Sequence, residues 1–438
     1  MRKKRVLILG GGISGLSAAH FLSKIEYHIT LLEKEKRLGG WIATEKEGDF
    51  LFEKGPHTIR LEADTCLELI KDLGLEKEVI YADPLVAKRY LWSEGLLRQL
   101  PSHPFSFLFS PLMKGVIPAL FHEYKTPPVS QEDESVYAFI TRRFGSKIAD
   151  NLIEPWLLGI FAGDIKSLSA NICLPLWKKF EQEYGSVVKG FFKREKKPKP
   201  LLFSFKEGIE TLIHRMQAKI SGELILDERV EEISIYSDKV SVKGTTKVWE
   251  ADELISSLPP FEMKRLFASL DSEISSLFGK IESSTIVSAH LGFNKKIHLP
   301  KGFGYLVPSK EKESISGVLF DSQIFPEQNF GRDLTRLTVM MGGVMQKEVE
   351  TLTENECLQR AMMSIEKHLH TKETPSVIKI NKANSALPQF KIGHEKIINQ
   401  LEQALNVRFP QIKIIGNYFR GASLSECIRR AKSASDYF

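Results

Sequence analysis

The feature that most constrains the fold of this 438-residue chain is a run of glycines near its N-terminus. Residues 5–9 are mostly apolar and predict a short β-strand, and Gly-Gly-Gly-Ile-Ser-Gly follows at positions 10–15. Residues 16–24 have helical character, and residues 29–32 predict a second strand that ends at Glu33. The order of strand, glycine turn, helix, strand and acid predicts a parallel βαβ unit of the Rossmann type.

Each part of this unit has its own role in binding a dinucleotide. Gly10 allows a tight turn, Gly12 lets the backbone approach a pyrophosphate, and Gly15 lets the helix pack closely on the sheet. The helix N-terminus offers free N–H groups and a positive dipole end to the phosphates. Glu33 can accept hydrogen bonds from ribose hydroxyls, and an acid there disfavours the 2′-phosphate of NADP. A glycine turn without a ligand is the alternative, and the complete unit argues against it.

Two further segments favour FAD over NAD. Residues 37–41 read Arg-Leu-Gly-Gly-Trp, and residues 52–60 contain a Gly-Pro-His-Thr segment. Together with residues 416–428, these segments resemble the amine-oxidase and protoporphyrinogen-oxidase superfamily of flavoproteins, in which they wrap the diphosphate and the ring of the flavin. The residues expected to hold FAD are Gly10, Gly11, Gly12, Ile13, Ser14, Gly15, Glu33, Lys34, Gly40, Trp41, Gly55, Pro56, His57, Thr58, Val230, Asn417, Ala422, Ser423 and Leu424.

The expected fold is α/β, with a Rossmann-type FAD-binding domain assembled from discontinuous segments, a substrate-binding α+β domain and a helical insert. The length suits two or three domains of roughly 100–200 residues each. The predicted pieces are 1–85, 202–260 and 386–438 for the FAD-binding domain, 86–201 for the insert, and 261–385 for the substrate-binding sheet.

Composition excludes several classes of protein. A net charge of +6 is mild for this length and does not indicate nucleic-acid binding, which usually needs a concentrated basic face. The four cysteines are widely spaced, which predicts reduced, buried thiols in a reducing compartment such as the cytoplasm. Cys427 is expected to be a packing residue. No metal site is expected, and His368 and His370 are placed on the surface of a strand or helix.

A series of matches through the middle of the chain resembles the protoporphyrinogen/coproporphyrinogen oxidase family in particular. The series includes residues 88–92, 134–145 and 154–164, and it continues at 302–308 and 320–322. General amine oxidases share the first and last signatures but not this series. The resemblance implies oxidation of a porphyrinogen, with the flavin accepting hydride and oxygen reoxidising the flavin with release of hydrogen peroxide.

The resemblance also suggests residues that contact the substrate. Arg89 is the candidate to pair with a propionate, because a guanidinium can bind a carboxylate with two hydrogen bonds; the alternative is a surface arginine. Gly159 lies where the family has a glycine beside the substrate, and its carbonyl is a candidate acceptor for a substrate N–H. A packing glycine is the alternative there, and a structural role is the alternative for His57.

Residues 101–128 raise the question of membrane contact. They are rich in aromatic residues, leucine and proline, but charges interrupt them, so a membrane-spanning helix is not expected. The segment is either an interfacial amphipathic element at the inner face of a membrane or a core-facing helical lobe. Formation of a homodimer and hand-over of the product to a ferrochelatase are compatible with the resemblance.

Three rival functions remain at this point. The first is oxidation of coproporphyrinogen, whose four carboxylates would call for a more basic pocket. The second is a flavin amine oxidase or a carotenoid-type desaturase, which the middle series disfavours. The third is a non-catalytic binding protein on the same fold, which the intact glycine pairs and Glu33 argue against.

Overall fold

The structure is a computed structural model that describes residues 3–61, 64–101, 115–129, 133–195, 201–236 and 239–437. Its strands are β1 Lys4–Leu9, β2 Tyr27–Leu32, β3 Thr44–Glu47, β4 Phe50–Glu53, β5 Ile59–Arg60, β6 Val79–Tyr81, β7 Arg89–Ser93, β8 Leu96–Gln99, β9 Leu202–Phe205, β10 Glu223–Ile225, β11 Val230–Tyr236, β12 Lys239–Gly244, β13 Val248–Ala251, β14 Glu253–Ser256, β15 Ser283–Phe293, β16 Gly304–Leu306, β17 Gly317–Leu319, β18 Thr335–Gly342, β19 Val377–Pro388 and β20 Ile412–Ile414.

The helices are α1 Ile13–Leu22, α2 Asp64–Leu73, α3 Val116–Lys125, α4 Val136–Phe144, α5 Ser146–Ile148, α6 Glu154–Phe161, α7 Ala170–Cys173, α8 Pro175–Tyr184, α9 Val187–Lys193, α10 Glu210–Lys219, α11 Pro260–Phe267, α12 Ser272–Gly279, α13 Asp321–Ile324, α14 Glu354–Leu369, α15 His394–Arg408 and α16 Leu424–Ser435. A π-helical segment, Ala149–Ile153, separates α5 from α6.

A parallel sheet with the strand order β10-β2-β1-β14-β20 forms the first domain. The aliphatic residues of β1, β2 and β14 are buried because helices or strands cover both faces of the sheet. Val6 and Ile8 of β1 pack toward α1, α10 and α16, whereas Leu7 and Leu9 pack toward the β11–β13 sheet, α11 and α15. The predicted βαβ unit is confirmed, although α1 begins at Ile13, three residues before the predicted start at 16. The glycine turn therefore already forms the first turn of the helix.

The first domain is discontinuous in sequence, as expected. Its sheet takes strands from residues 4–32, from 223–256 and from 412–414, and α16 packs against α1. Segments from the beginning, middle and end of the chain therefore meet around one glycine turn.

A seven-stranded sheet with the order β19-β15-β18-β17-β16-β7-β8 forms the second domain. Helix α14 covers one face of this sheet, where Tyr90, Tyr305 and Ile365 are buried together. Strands β7 and β8 belong to the sheet, although the predicted insert began at residue 86. The pairing of β7 with β16 over a separation of more than 200 residues is a long-range contact that local patterns do not reveal.

The helical insert, α3–α9, contains its own apolar core and a buried cluster of charges. Arg143 is fully buried and bonds Glu123 at 3.1 Å and Glu181 at 2.8 Å. Burial alone would raise the pKa of Glu181, but hydrogen bonds and charges from Arg142 and its neighbours lower it to about 2. Glu123 also accepts hydrogen bonds from the first backbone N–H groups of α9. The cluster thus joins α3, α4, α8 and α9.

The four cysteines are buried and unbonded, as predicted: Cys66, Cys173, Cys357 and Cys427. The placement of His368 on a surface was wrong. Its ring is buried and stacks on Trp92 at a centroid distance of 3.9 Å, because the last turn of α14 faces the sheet. His370 is the C-cap of α14 and adopts a left-handed conformation.

Within the described part of the chain, no group of histidine, cysteine and acidic residues could hold a metal ion. None of the helices in that part is both long enough and apolar enough to cross a bilayer. Of the segment 101–128 that raised the membrane question, residues 102–114 lie outside the described residues.

Candidate cofactor and substrate site

Two glycine turns face each other at the N-terminus of α1. The N–H of Gly39 donates to the carbonyl of Gly11 at 2.8 Å, and Gly39 forms a parallel bridge with Gly12. A Cβ placed on Gly12 would meet only the Cα of Gly40, at 4.0 Å. Gly12 is therefore not required by packing within the protein, and its missing side chain leaves room for a ligand to approach the backbone.

Among the described residues, no side chain caps the first turn of α1. The N-cap residue is Gly12, and the first turn contains no acidic residue. The backbone N–H groups at this end need an acceptor, and the helix dipole favours a negative one. Ile13, Ser14 and Gly15 lie in this turn. The geometry suits a diphosphate between the two glycine turns.

Glu33 lies at the end of β2, beside the glycine turn. Its carboxylate accepts hydrogen bonds from the N–H groups of Gly11 at 2.6 Å and Glu35 at 2.9 Å. A carboxylate can accept about four hydrogen bonds, so it keeps capacity for ribose hydroxyls. Lys34 is exposed next to it. Val230 is close in the same region, because the N–H of Glu228 donates to the Glu33 carbonyl at 2.9 Å.

Arg37 supports the second glycine turn, a role that the sequence motif did not single out. Its guanidinium donates to the carbonyl oxygens of Leu38 at 2.9 Å, Ile42 at 3.0 Å and Gly40 at 2.5 Å. These three bonds fix the loop that carries Gly39 and Gly40, both of which have positive φ. The arginine also places a cation beside the proposed phosphate position.

Trp41 leads from the second glycine turn to the Gly-Pro segment. Gly55 packs directly on the Trp41 carbonyl oxygen, and a Cβ on Gly55 would overlap that atom. The N–H of Lys54 donates to Ala43 at 2.9 Å. Residues 54–58, which include Gly55, Pro56, His57 and Thr58, are here called the cofactor loop. This loop therefore lies against the two facing glycine turns, here called the glycine cradle.

The C-terminal helix α16 reaches the same place. Ser423 caps it by accepting a hydrogen bond from the N–H of Glu426, and Ser425 Oγ donates to Arg60 beside the cofactor loop at 2.6 Å. Cys427 lies against Ser14 of α1, and burial raises the pKa of its thiol to about 11 although the hydrogen bond with Ser14 opposes the shift. The thiol is therefore protonated at neutral pH, which supports a packing role.

The remaining C-terminal candidates lie just before α16. Asn417 donates through Nδ2 to the Ala386 carbonyl at 3.1 Å, so its side chain ties the turn after β20 to the end of β19. Ala422 packs against the apolar core of the insert. Leu424 is partly buried against the core of the first domain.

His57 is held by a residue of the second domain. Its Nδ1 lies 3.0 Å from Asp321 Oδ1, and its Nε2 is buried without a hydrogen-bond partner among the described residues. Burial of the ring opposes protonation, but the charge and hydrogen bond of Asp321 raise the pKa of His57. Burial raises the pKa of the neighbouring Glu53 to about 7, whereas the charges of His57 and Arg336 lower the pKa of Asp321 despite its burial.

Arg89 and Gly159 lie on the face of the seven-stranded sheet opposite to α14. Arg89 is paired with Gly304 in register, two residues before Leu306, and a Cβ on Gly159 would be 2.7 Å from the Leu306 side chain. The Arg89 guanidinium stacks on Phe303 at 4.6 Å and donates to the Ala87 carbonyl at 3.3 Å. The Arg89 side chain is exposed to solvent, and among the described residues it forms no ion pair with a carboxylate.

The parallel sheet, the glycine cradle at a helix N-terminus and the acid at the end of β2 define an FAD-binding protein of the Rossmann class. The chain belongs to the family of flavin containing amine oxidoreductases, whose sequence profile matches residues 13–437. It is an oxidoreductase, and FAD is its cofactor.

Curated relatives cover almost the whole chain. Protoporphyrinogen oxidase from Homo sapiens is 29% identical and aligns with 99% of this chain and 98% of its own length. Coproporphyrinogen III oxidase from Bacillus subtilis is 25% identical over 99% of this chain and 97% of its own.

Solved structures share the fold. A protein from Exiguobacterium sp. 255-15, described as a candidate protoporphyrinogen oxidase, matches with a TM-score of 0.90 at 23% identity, covering 100% of this chain and 99% of that one. Reduced UDP-galactopyranose mutase matches with a TM-score of 0.78 at 15% identity, covering 99% and 95%.

Proposed function

We propose that the protein oxidises protoporphyrinogen IX to protoporphyrin IX, with FAD as cofactor and oxygen as electron acceptor, in porphyrin and haem biosynthesis. The observation that carries this proposal is the Arg89 guanidinium, which stacks on Phe303 on the free face of the sheet and has no carboxylate partner among the described residues. Two curated relatives named for porphyrinogen oxidation, which match over nearly the whole chain, support it.

The FAD would be held by the residues of the cradle. Backbone N–H groups of the first turn of α1 would bind its diphosphate between Gly12 and Gly40, and Glu33 would bind ribose. Val230 would contact adenine, and the cofactor loop and the start of α16 would lie against the ring. When bound, FAD supplies the hydride acceptor. The positive end of α16 would stabilise negative charge on the cofactor.

The protein's own contribution to the reaction is mainly positioning. Arg89 would bind a propionate of the macrocycle, and the stack on Phe303 holds its guanidinium flat so that two N–H groups can face the carboxylate. Gly159 packs closely against the Leu306 side chain, and its carbonyl would accept a pyrrole N–H. Each two-electron step would remove a hydride from carbon and a proton from nitrogen of the macrocycle. The two electrons and two protons would convert one O₂ to one H₂O₂, and three such steps would give the porphyrin.

The decisive experiment is anaerobic mixing of the flavin-loaded protein with protoporphyrinogen IX and, separately, coproporphyrinogen III. Bleaching of the flavin band with the first substrate, and porphyrin fluorescence on admission of air, are expected. A preference for coproporphyrinogen III would assign the chain to the activity for which the Bacillus subtilis relative is named. If neither substrate bleaches the flavin, the porphyrinogen assignment is wrong.

A variant pair tests the role of Arg89. Arg89→Gln should raise KM roughly 10- to 150-fold with little change in kcat, because it removes a charge-assisted bond of about 1.5–3 kcal/mol to the ground state and transition state alike. Arg98→Gln is the matched control, since Arg98 lies on the adjacent strand but already pairs with Glu94 at 2.7 Å. Equal KM values in the two variants would contradict the role of Arg89.

Peripheral contact with an anionic membrane is a second part of the proposal. Ile117, Phe121 and Tyr124 are exposed along one side of α3, and Lys189 lies over the Tyr124 ring at 4.6 Å. Aromatic and apolar groups next to lysines are typical of interfacial helices. Co-sedimentation with phosphatidylserine vesicles, and its loss in Phe121→Ser, would support the contact. A cytoplasmic location, a homodimer and hand-over to a ferrochelatase stay predictions.

A further inference from the structure

The cofactor loop (residues 54–58) is held from two sides by different domains. On the cradle side, the N–H of Lys54 bonds Ala43, and Gly55 packs on the carbonyl of Trp41. On the side of the seven-stranded sheet, Asn381 Nδ2 donates to the Lys54 carbonyl at 2.6 Å, and Asp321 lies 3.0 Å from His57 Nδ1. The loop is thus the part of the cradle wall that the second domain holds.

Asp321 is the end point of a chain of hydrogen bonds across the sheet. Its Oδ2 accepts from Thr338 Oγ1 at 2.7 Å, and Thr338 Oγ1 lies 3.0 Å from His290 Nδ1. Because the Thr338 hydroxyl donates its proton to Asp321, it can only accept from His290, whose Nδ1–H is then the donor. The other ring nitrogen, His290 Nε2, lies 3.0 Å from Ser288 Oγ and accepts a hydrogen bond from the Ser288 hydroxyl. Every donor in this arrangement points toward Asp321, and the charges of His57 and Arg336 lower the pKa of Asp321 despite its burial, which favours an ionised carboxylate as the acceptor at its end.

The charges that face His57 come from four elements. Asp321 begins α13, Glu53 ends β4, Arg336 lies on β18, and His290 lies on β15. Burial and the nearby charge of His57 lower the pKa of His290 to about 3, so it is neutral. Burial lowers the pKa of Arg336 to about 10, so it stays charged at neutral pH. His57 is the group in this cluster whose loss of charge would directly weaken the bond to Asp321.

We propose that Asp321 and His57 form a latch that fixes the cofactor loop against the substrate-binding sheet, and that the latch weakens when His57 loses its proton, so that FAD is released faster at alkaline pH. The inference rests on the placement of FAD in the glycine cradle under the proposed function. Asp321 acts here as a positioning residue, because it reaches the cofactor site only through His57.

The sign of the effect follows from the shift of His57. Its pKa is raised above the ordinary value of 6.5, so the charged latch is fully present below that pH and is lost as the pH rises through the folded-state pKa. A neutral imidazole still donates a hydrogen bond, but a charge-assisted bond is about twice as strong. The rate of FAD release should therefore increase roughly tenfold from about pH 6 to about pH 9.5.

The test measures flavin fluorescence after dilution of the flavin-loaded protein into buffers across that range. Wild type should release FAD faster as pH rises, whereas His57→Arg, with a permanent cation, should release it slowly at every pH. Asp321→Asn should release FAD quickly with little pH dependence. Asp72→Asn is the matched control, because Asp72 forms a second histidine–aspartate pair among the described residues, with His20 at 3.6 Å.

Release from wild type that does not change with pH, or a wild-type profile in Asp321→Asn, would overturn the latch. If Asp321→Asn fails to fold, the comparison of wild type with His57→Arg still tests the latch, because only wild type should release FAD faster as the pH rises. The measurement involves no porphyrinogen, so the two proposals fail separately: a protein that oxidises a porphyrinogen but releases FAD independently of pH refutes the latch alone.

Discussion

Replacing Gly12 with alanine should separate cofactor affinity from stability of the fold. The backbone of Gly12 has φ −73° and ψ 179°, which any residue adopts, and an added Cβ meets only the Gly40 Cα at 4.0 Å. The apoprotein should therefore keep its stability or gain about 0.4–1 kcal/mol, because alanine restricts the unfolded chain.

The same methyl group would occupy the space into which the diphosphate must fit. Forcing an extra methyl into a tightly packed contact costs about 1–3 kcal/mol. At 1.4 kcal/mol for each factor of ten, the Kd for FAD should rise roughly 5- to 150-fold. Gly15→Ala should instead lower the stability of the apoprotein, because its Cβ would overlap the Gly10 carbonyl oxygen.

The assay pairs urea unfolding of the apoprotein with titration of FAD followed by quenching of flavin fluorescence. Gly279→Ala is the control, since Gly279 is remote from the cradle and its Cβ would meet only the flexible Lys264 side chain at 3.3 Å. Wild-type affinity for FAD in Gly12→Ala would refute the placement of the diphosphate between Gly12 and Gly40. A large loss of apoprotein stability would refute the claim that the protein does not need this glycine for packing.

Three further outcomes are expected. Arg143→Met should lower the free energy of unfolding by about 3–5 kcal/mol in urea titrations, because it removes the cation that pairs with the buried Glu123 and one of the cations that pair with the buried Glu181. A loss below about 1 kcal/mol would mean that water reaches the cluster. Burial raises the pKa of Glu53 from 4.5 to about 7, so Glu53 is protonated in the folded state over a pH range in which it is ionised in the unfolded state. The free energy of unfolding should therefore fall by about 3 kcal/mol as the pH rises from 4.5 to 7. This pH dependence should be absent from Glu53→Gln, and an unchanged dependence would show that another group causes it. Cys427→Ala should bind FAD and turn over substrate like wild type in an oxidase assay, because the thiol is protonated and packs against Ser14. Loss of flavin reduction with FAD still bound would instead indicate a redox role for Cys427.

Local sequence patterns predicted the cofactor domain well because its defining parts are close together in the chain. The strand, turn, helix and acid occupy residues 4–33, and each part has a pattern of its own. Helix α16 also carries a local signal, since Ser423 caps the helix that begins at Leu424. The start of α1 was predicted too late because glycines inside a helical turn look like a loop.

The substrate-binding domain was harder to delimit because strand partners are far apart in sequence. Arg89 and Gly304 pair across more than 200 residues, and no periodicity within β7 shows which sheet it joins. His368 was misplaced for a similar reason: Lys367 and His370 near it are polar, but the ring of His368 faces Trp92 and Tyr305. Which face of an element is buried depends on what packs against it.

The sequence by itself determined the class of cofactor, because binding a diphosphate depends on backbone groups that a short glycine motif exposes. Only the tertiary structure decided what surrounds that cofactor. Asp321 contacts His57 across 264 residues, and Gly159 meets Leu306 from another domain. Such contacts depend on the packing of whole domains, whose energy comes from burial of many apolar side chains rather than from any local pattern.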